Sequence, residues 1–332
     1  MTVNTTTVFQ GKRILVTGGL GFIGSNLARR LVELGAEEVS LVDILDLGSG
    51  GSLFNISGIE KRVKVHQADV GDEAVMSGLV RDRDYLFNLA GQTSHLGSMQ
   101  DPLKDLEANT VSQFKLLEVC RKQNPSVRIV YSGTRQIYGR PKYLPVDEDH
   151  PPAPLDYNGV SKRAGEMYHL VTHRIYGVWT TVLRMTNVYG PRMRVRDDRQ
   201  TFIGWWFRQL LEGEELKVFG DGTQVRDLNY IDDVVDALLL CAAHPSAEGQ
   251  IYNLGGEPVS LLDLARTMIE VNGGGSYTLT PFPPGRKRID IGDYFGDYTK
   301  ILTALGWRPR VSLRTGIERT LDFYRRHKER YW

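Results

Sequence analysis

An apolar run, Arg13 to Thr17, breaks into glycines at Gly18, Gly21 and Gly24 and gives way at once to helical periodicity. Few arrangements satisfy that order. A strand must turn sharply into a helix, so the first glycine serves the turn, the second allows close approach to the backbone, and the third lets helix pack on strand. Ile23, Leu27, Leu31 and Leu34 then share one helical face, and Gly35 stands where a helix C-terminus is expected. Further apolar runs read as strands at Val39 to Val42, Val63 to Gln67, Tyr85 to Leu89, Arg128 to Ser132 and Thr180 to Met185. Helices are expected at Leu103 to Arg121 and Ser161 to Tyr176, and an irregular loop around Gly48 to Gly58. This alternation predicts an α/β fold, a Rossmann-type doubly wound parallel sheet.

The helix N-terminus at Phe22 and Ile23 offers free N–H groups and a positive dipole end, which suits a pyrophosphate. Asp43 ends the second strand at the distance where an acid holds adenosine ribose hydroxyls, and Ile44 rather than an arginine follows it. A carboxylate there repels a 2′-phosphate, so the expected cofactor is NAD rather than NADP.

After Asn187 the rhythm changes. A basic loop (Arg192 to Arg199) leads to an aromatic helix with Trp205, Trp206 and Phe207. A helix from Ile231 to Ala242, a Gly- and Pro-rich loop from Gly273 to Gly285 and a final helix from Leu313 to Lys328 follow. We expect an NAD-binding domain of residues 1–187 plus roughly 228–254, and a smaller mixed lobe of 188–227 and 255–332. The two tryptophans either pack that lobe's core or stack on a base. The net charge of +1 in 332 residues leaves no basic excess for nucleic acid. Cys120 and Cys241 sit in apolar stretches and read as core residues without a disulfide or metal role. The longest apolar run, Ala237 to Ala243, is too short for a membrane span, and Met1 to Gln10 lacks the pattern of a signal peptide, so a cytoplasmic protein is expected.

Several segments together resemble the extended short-chain dehydrogenase/reductase family, specifically its nucleotide-sugar epimerases and dehydratases. They are VTGGLGFIG (Val16 to Gly24), Asp69 and Val70 after the third strand, NLAGQTSH (Asn88 to His95), YSGTRQIYG (Tyr131 to Gly139), NGVSKRAGE (Asn158 to Glu166), LRMTNVYGP (Leu183 to Pro191) and GDGTQVRDLNYIDDVVDA (Gly220 to Ala237). The resemblance implies that Asp69 and Val70 contact adenine, that Leu89 and Ala90 line the cofactor cleft, and that Asn187 and Arg226 meet the diphosphate of a nucleotide sugar. Arg286, Lys287 and Arg288 resemble a second diphosphate contact; the alternative is a solvated loop. It also implies dimers built through the helices at Leu103 to Arg121 and Ser161 to Tyr176.

In that family a tyrosine within Y-x-x-x-K acts as base, the lysine binds the nicotinamide ribose, and a Ser or Thr orients the substrate hydroxyl. Lys162 and Thr134 match, but the tyrosine position holds Asn158. An amide takes no proton at neutral pH. Three replacements stay open: Tyr157, if the helix begins after it; His95, an imidazole in the loop after the fourth strand; or a relay through Thr134 and Lys162. The acids that follow Thr134 in the dehydratases are here Arg135 and Gln136, which disfavours chemistry needing a further proton donor. Arg135 either holds an anionic substrate group, such as a uronate carboxylate, or forms a surface salt bridge. The leading expectation is an NAD-retaining epimerase acting at sugar C4 with hydride return. The alternatives are a dehydratase or reductase with atypical acids and bases, and an inactive NAD- and sugar-nucleotide-binding protein.

Overall fold

Neighbouring residues of Arg13–Thr17 point into different cores. Ile14 and Val16 join one apolar cluster and Leu15 joins another, all fully buried. A strand whose two faces are both covered reads as an unbroken apolar run, which is why RILVT shows no polar alternation. In the computed structural model, which describes residues 5–46, 50–197 and 201–332, the strands in chain order are β1 (Arg13–Thr17), β2 (Glu38–Asp43), β3 (Lys64–Gln67), β4 (Tyr85–Asn88), β5 (Arg128–Thr134), β6 (Thr180–Met185), β7 (Asn187–Tyr189), β8 (Leu216–Phe219), β9 (Val225–Tyr230), β10 (Ile251–Asn253), β11 (Pro258–Ser260) and β12 (Tyr277–Thr280).

Seven strands form one parallel sheet in the order β10-β6-β5-β4-β1-β2-β3. The chain leaves β1 for β2 on one side and later returns to β4 on the other. The order therefore reverses between β1 and β4, and a crevice opens beyond their carboxyl ends. The helices Phe22–Glu33 and Ile231–Ala243 bury Leu27, Leu31, Val234 and Leu238 in the first cluster, and Ser112–Gln123 buries Leu116 and Cys120 in the second. Cys120 and Cys241 are free and buried, and burial pushes both thiols up, Cys120 to about 12.

A second layer stands over the sheet's carboxyl end. Its strands pair as β11-β9-β7 and β12-β8, and its helices are Phe202–Glu212, Leu261–Asn272 and Leu313–Tyr331. Phe207, Leu264 and Ile317 from these helices belong to the same core cluster as Ile14 and Val16, so one apolar core joins both layers. Among the described residues, no helix is long and apolar enough to cross a membrane.

Several elements differ from the sequence expectation. The helix expected over Leu103 to Arg121 is broken by a π turn at Glu107–Val111. The helix expected from Ser161 starts at Tyr157, because Asp156 caps it by accepting the Gly159 N–H at 2.7 Å. Within the loop expected at Gly273 to Gly285, Tyr277–Thr280 becomes β12 by pairing with β8, a long-range contact that local composition does not announce. The loop around Gly48 to Gly58 contains a short 3-10 turn, Leu53–Ile56; residues 47–49, and 198–199 of the basic loop, lie outside the described residues.

Two polar ties set the crevice. The Thr17 hydroxyl donates to Asn88 Oδ1 at 2.9 Å and accepts the Leu89 and Ala90 N–H groups at 3.0 and 3.1 Å. It thus pins the ends of β1 and β4 together. On the far side, buried Arg184 of β6 donates to both carboxylate oxygens of buried Glu166, at 3.0 and 2.7 Å, and holds the Tyr157–Tyr176 helix against the sheet. Replacing Thr17 with valine keeps the volume and strands two N–H groups and an amide oxygen. We expect a loss of about 2–4 kcal/mol of stability, read as an unchanged slope and lower midpoint in urea denaturation.

Candidate active site

The glycine turn shapes the crevice floor. Gly18 has φ +65, and a Cβ there would press on the Ala90 backbone at 3.1 Å; a Cβ on Gly24 would lie 2.2 Å from the Gly18 carbonyl oxygen. No larger residue allows strand, turn and helix to meet this closely. Gly21 is the N-cap of Phe22–Glu33, so the first free N–H groups of that helix open on the crevice.

From this floor a cleft of about 370 Å³ runs along the sheet edge. Gly18, Gly21, Phe22, Ile23 and Gly24 line its middle, Asp43, Asp69 and Val70 one end, and Leu89, Ala90, Asn158 and Lys162 the other. Asp43 accepts the Leu20 and Leu45 N–H groups at 3.0 and 2.9 Å, one on each oxygen, which fixes the carboxylate and leaves lone pairs for hydroxyls. Asp69 accepts Gly71 N–H at 2.6 Å and the Ser112 hydroxyl at 3.3 Å. A cradle that Cβ atoms would fill, a free helix N-terminus and a fixed carboxylate 25 residues past Gly18 together fit a dinucleotide without a 2′-phosphate.

A second cavity, of about 390 Å³, lies between the sheet and the upper layer. Thr134, Arg135, Asn187, Arg226 and Arg286 line it, with Phe219, Phe282 and Trp205 toward the upper layer. Trp205 and Trp206 both border it, and Trp206 is also part of the core. The two cavities meet at Thr93, His95, Thr134, Thr186, Val188 and Thr201, which line both.

Asn158 is buried and committed. Its amide donates to the Gln92 carbonyl at 2.8 Å and to Asp105 Oδ1 at 2.9 Å. Lys162, one turn on, is buried with its ammonium 4.7 Å from the Tyr131 ring centre. Burial draws this ammonium down to about 8 from the usual 10.5, although Asp105 and Glu166 act against the shift. Thr134 caps the following turn by accepting Gln136 N–H.

Tyr157 is not brought to this site. It is half exposed, lines neither cavity, and begins an apolar stripe with Val160, Met167, Tyr168, Val171 and Ile175. One residue turns a helical side chain by roughly 100°, so Tyr157 and Asn158 face different ways. Arg288 is likewise exposed and lines neither cavity; of the basic cluster only Arg286 reaches the wall. Among the described residues, Arg135 forms no surface salt bridge. Its Nη2 donates to Asn187 Oδ1 at 3.0 Å, its guanidinium stacks 5.1 Å from the Tyr294 ring centre, and burial lowers its affinity for a proton. Arg226 is buried and paired with Asp290 at 3.3 Å; burial, and the neighbouring Arg135 charge after it, pull its guanidinium down to about 10.

His95 stands at the first residue of a short helix, His95–Gln100, not in a loop; Ser94 caps that helix by accepting Gly97 N–H. Its Nδ1 lies 3.0 Å from Oδ2 of buried Asp156. The same oxygen accepts the Gln136 amide at 2.9 Å. Burial pushes the Asp156 carboxyl up, but His95, the Gly159 N–H and Gln136 outweigh it and hold the group below the ordinary carboxylate range. Sequence reasoning singled out His95 and missed Asp156; the available signal was its position just before a helix, where Asp caps.

Residues 14–255 match the NAD dependent epimerase/dehydratase family. The UDP-glucose 4-epimerase of Mycolicibacterium smegmatis is 33% identical over 321 residues, covering 94% of this chain and 98% of that protein. The UDP-glucose 4-epimerase of Thermotoga maritima, solved with UDP-glucose, has a TM-score of 0.86 at 33% identity over 95% of this chain and 99% of that one. The dTDP-glucose 4,6-dehydratase of Streptomyces venezuelae, solved with NAD bound, has a TM-score of 0.87 at 27% identity over 96% and 98%.

The burial of Lys162 has a direct readout. In 15N NMR of the lysine side chains, one signal should titrate near pH 8, far below the usual 10.5, and be absent from Lys162→Met. The charge is present below that pH and is lost above it, so a Lys162 signal that titrates with the exposed lysines contradicts the environment described.

Proposed function

The chain belongs to the NAD-dependent epimerase/dehydratase family, and within it we propose an epimerase that inverts one carbon of a nucleotide-linked sugar, C4 in the leading reading. NAD, the family's cofactor, supplies the hydride acceptor and donor. One observation carries the choice of epimerase. Among the described residues, the six that line both cavities include one imidazole and no carboxyl group. Oxidation of a hydroxyl with hydride return needs one proton acceptor; loss of water or carbon dioxide needs a further acid or base. Gln136 cannot supply it, because an amide neither gives nor takes a proton at neutral pH; its amide instead donates to Asp156.

The residues divide the work by place. Gly18, Gly21, Gly24, Phe22 and Ile23 receive the dinucleotide pyrophosphate. Asp43 holds the adenosine ribose, Asp69 and Val70 the adenine, and Lys162 the second ribose. Leu89 and Ala90 close the cleft wall. Thr134 orients the reacting hydroxyl, Arg226, Arg286 and Asn187 take the diphosphate, and Arg135 stands beside Thr134 where a charged group on the sugar would lie. Planar guanidinium groups suit these roles because they meet phosphate and carboxylate oxygens through paired donors.

The apolar stripe supports a homodimer. Val160, Val171 and Ile175 are exposed on one helix, and Leu103 (76% exposed), Leu106 and Phe114 continue the patch on its neighbours. A second copy of the same surface covers such a face with two helices from each chain.

Two measurements test these readings. Proton NMR of the NAD-loaded protein with UDP-, dTDP-, GDP- and CDP-linked hexoses and uronates should show reversible inversion at one sugar carbon without net NADH. Loss of water or carbon dioxide moves the protein to the lyase side, and binding without change supports an inactive binding protein. Separately, light scattering after size exclusion should give twice the chain mass, falling to one chain mass for Val171→Arg with Ile175→Arg.

A further inference from the structure

We propose that His95, held by Asp156, is the base that accepts and returns the hydroxyl proton, in place of the tyrosine whose position Asn158 occupies. This assignment supplies the proton acceptor that the epimerase reading requires, yet it can fail or stand independently of it.

Of the other replacements, Tyr157 lines neither cavity, Lys162 lines one, and Thr134 lines both but carries a hydroxyl in place of a proton-accepting ring. His95 lines both cavities, so its ring borders the place where sugar and nicotinamide must meet. Its side chain is one-third exposed, open to a substrate but not to bulk water on all sides. Nδ1 lies 3.0 Å from Asp156 Oδ2, at hydrogen-bonding distance but off the ideal N–H direction. Such contacts commonly tighten once substrate is bound. A carboxylate at Nδ1 selects the tautomer with the proton on Nδ1, and the Nε2 lone pair is then the acceptor.

Asp156 is a positioning residue, built in on three sides. Its Oδ1 accepts the N-terminal Gly159 N–H of the Tyr157–Tyr176 helix at 2.7 Å, and its Oδ2 accepts Gln136 at 2.9 Å while facing His95. A carboxylate at position 136 would repel Asp156 at this distance, whereas an amide bonds it. Asn158, two residues on, has its amide turned to Gln92 and Asp105 and away from proton chemistry.

The step balances. The sugar O–H bond breaks and its proton passes to His95 Nε2, while the C–H hydride passes to NAD and the carbon becomes a ketone. On return, the hydride reaches the other face of the carbon and the Nε2 proton goes back to the oxygen.

The test has two arms. Long-range 1H–15N NMR of the intact NAD-loaded protein reads the His95 tautomer without substrate. We expect a protonated Nδ1 and bare Nε2, with the preference lost in Asp156→Asn, a variant that keeps the helix cap. A protonated Nε2 in the unaltered protein overturns the proposal. With a substrate from the panel, His95→Gln should lower kcat by at least about 100-fold with KM little changed, provided its Tm is retained. Asp156→Asn should lower kcat less, and Tyr157→Phe should leave it unchanged. An epimer that forms as fast with His95→Gln as without it sinks His95 and leaves the epimerase standing. Loss of water that depends on His95 does the reverse.

Discussion

The carboxylate of Asp156 is the point on which the reacting end of this molecule turns. It is buried, yet it remains ionised because three separate elements donate to or face it: the start of one helix, the turn after β5, and the imidazole of another helix. A buried charge tolerates removal of a partner poorly, so each contact constrains the other two. Moving the helix start by one residue would lose the cap, rotate Asn158 and Lys162 away from the cleft, and separate His95 from its orienting group.

Two departures from the usual family pattern flank Asp156: Asn158 stands two residues past it and Gln136 is bonded to it. Gln136 and His95 meet on the Asp156 carboxylate, while Asn158 bonds the Asp105 carboxylate and the Gln92 carbonyl. Each replacement taken alone looks like a loss. Under the assignment proposed above, the proton-handling group stands at the start of the His95–Gln100 helix instead of at the position Asn158 occupies. Fold similarity to epimerases and dehydratases alike is compatible with this, since the sheet and its crevice serve both chemistries and the junction side chains decide between them.

Much of the parallel sheet was readable because its strands are buried on both faces and its first turn permits few alternatives. The structure brings Gly18, Gly21, Gly24, Asp43, Lys162 and Thr134 to the lining of one cleft; the glycines and Asp43 were legible from the strand–turn–helix pattern, Lys162 and Thr134 only through the family resemblance. Three things were hidden. β12 depends on pairing with a distant strand. The helix start at Tyr157 was masked by the prolines before it, so Tyr157 looked available although its side chain faces outward. Arg288 shares its composition with Arg286, and only the three-dimensional path of a five-residue helix separates the one that lines the pocket from the one that does not.

The two cavities are lined separately along most of their length and share one short wall. An occupant of either can therefore be exchanged while the other stays seated. In the epimerase proposed above, the oxidant would be a resident part, reduced and restored within each turnover. The enzyme's direction would then follow the ratio of the two sugars relative to their equilibrium constant and be indifferent to how oxidised or reduced its surroundings are.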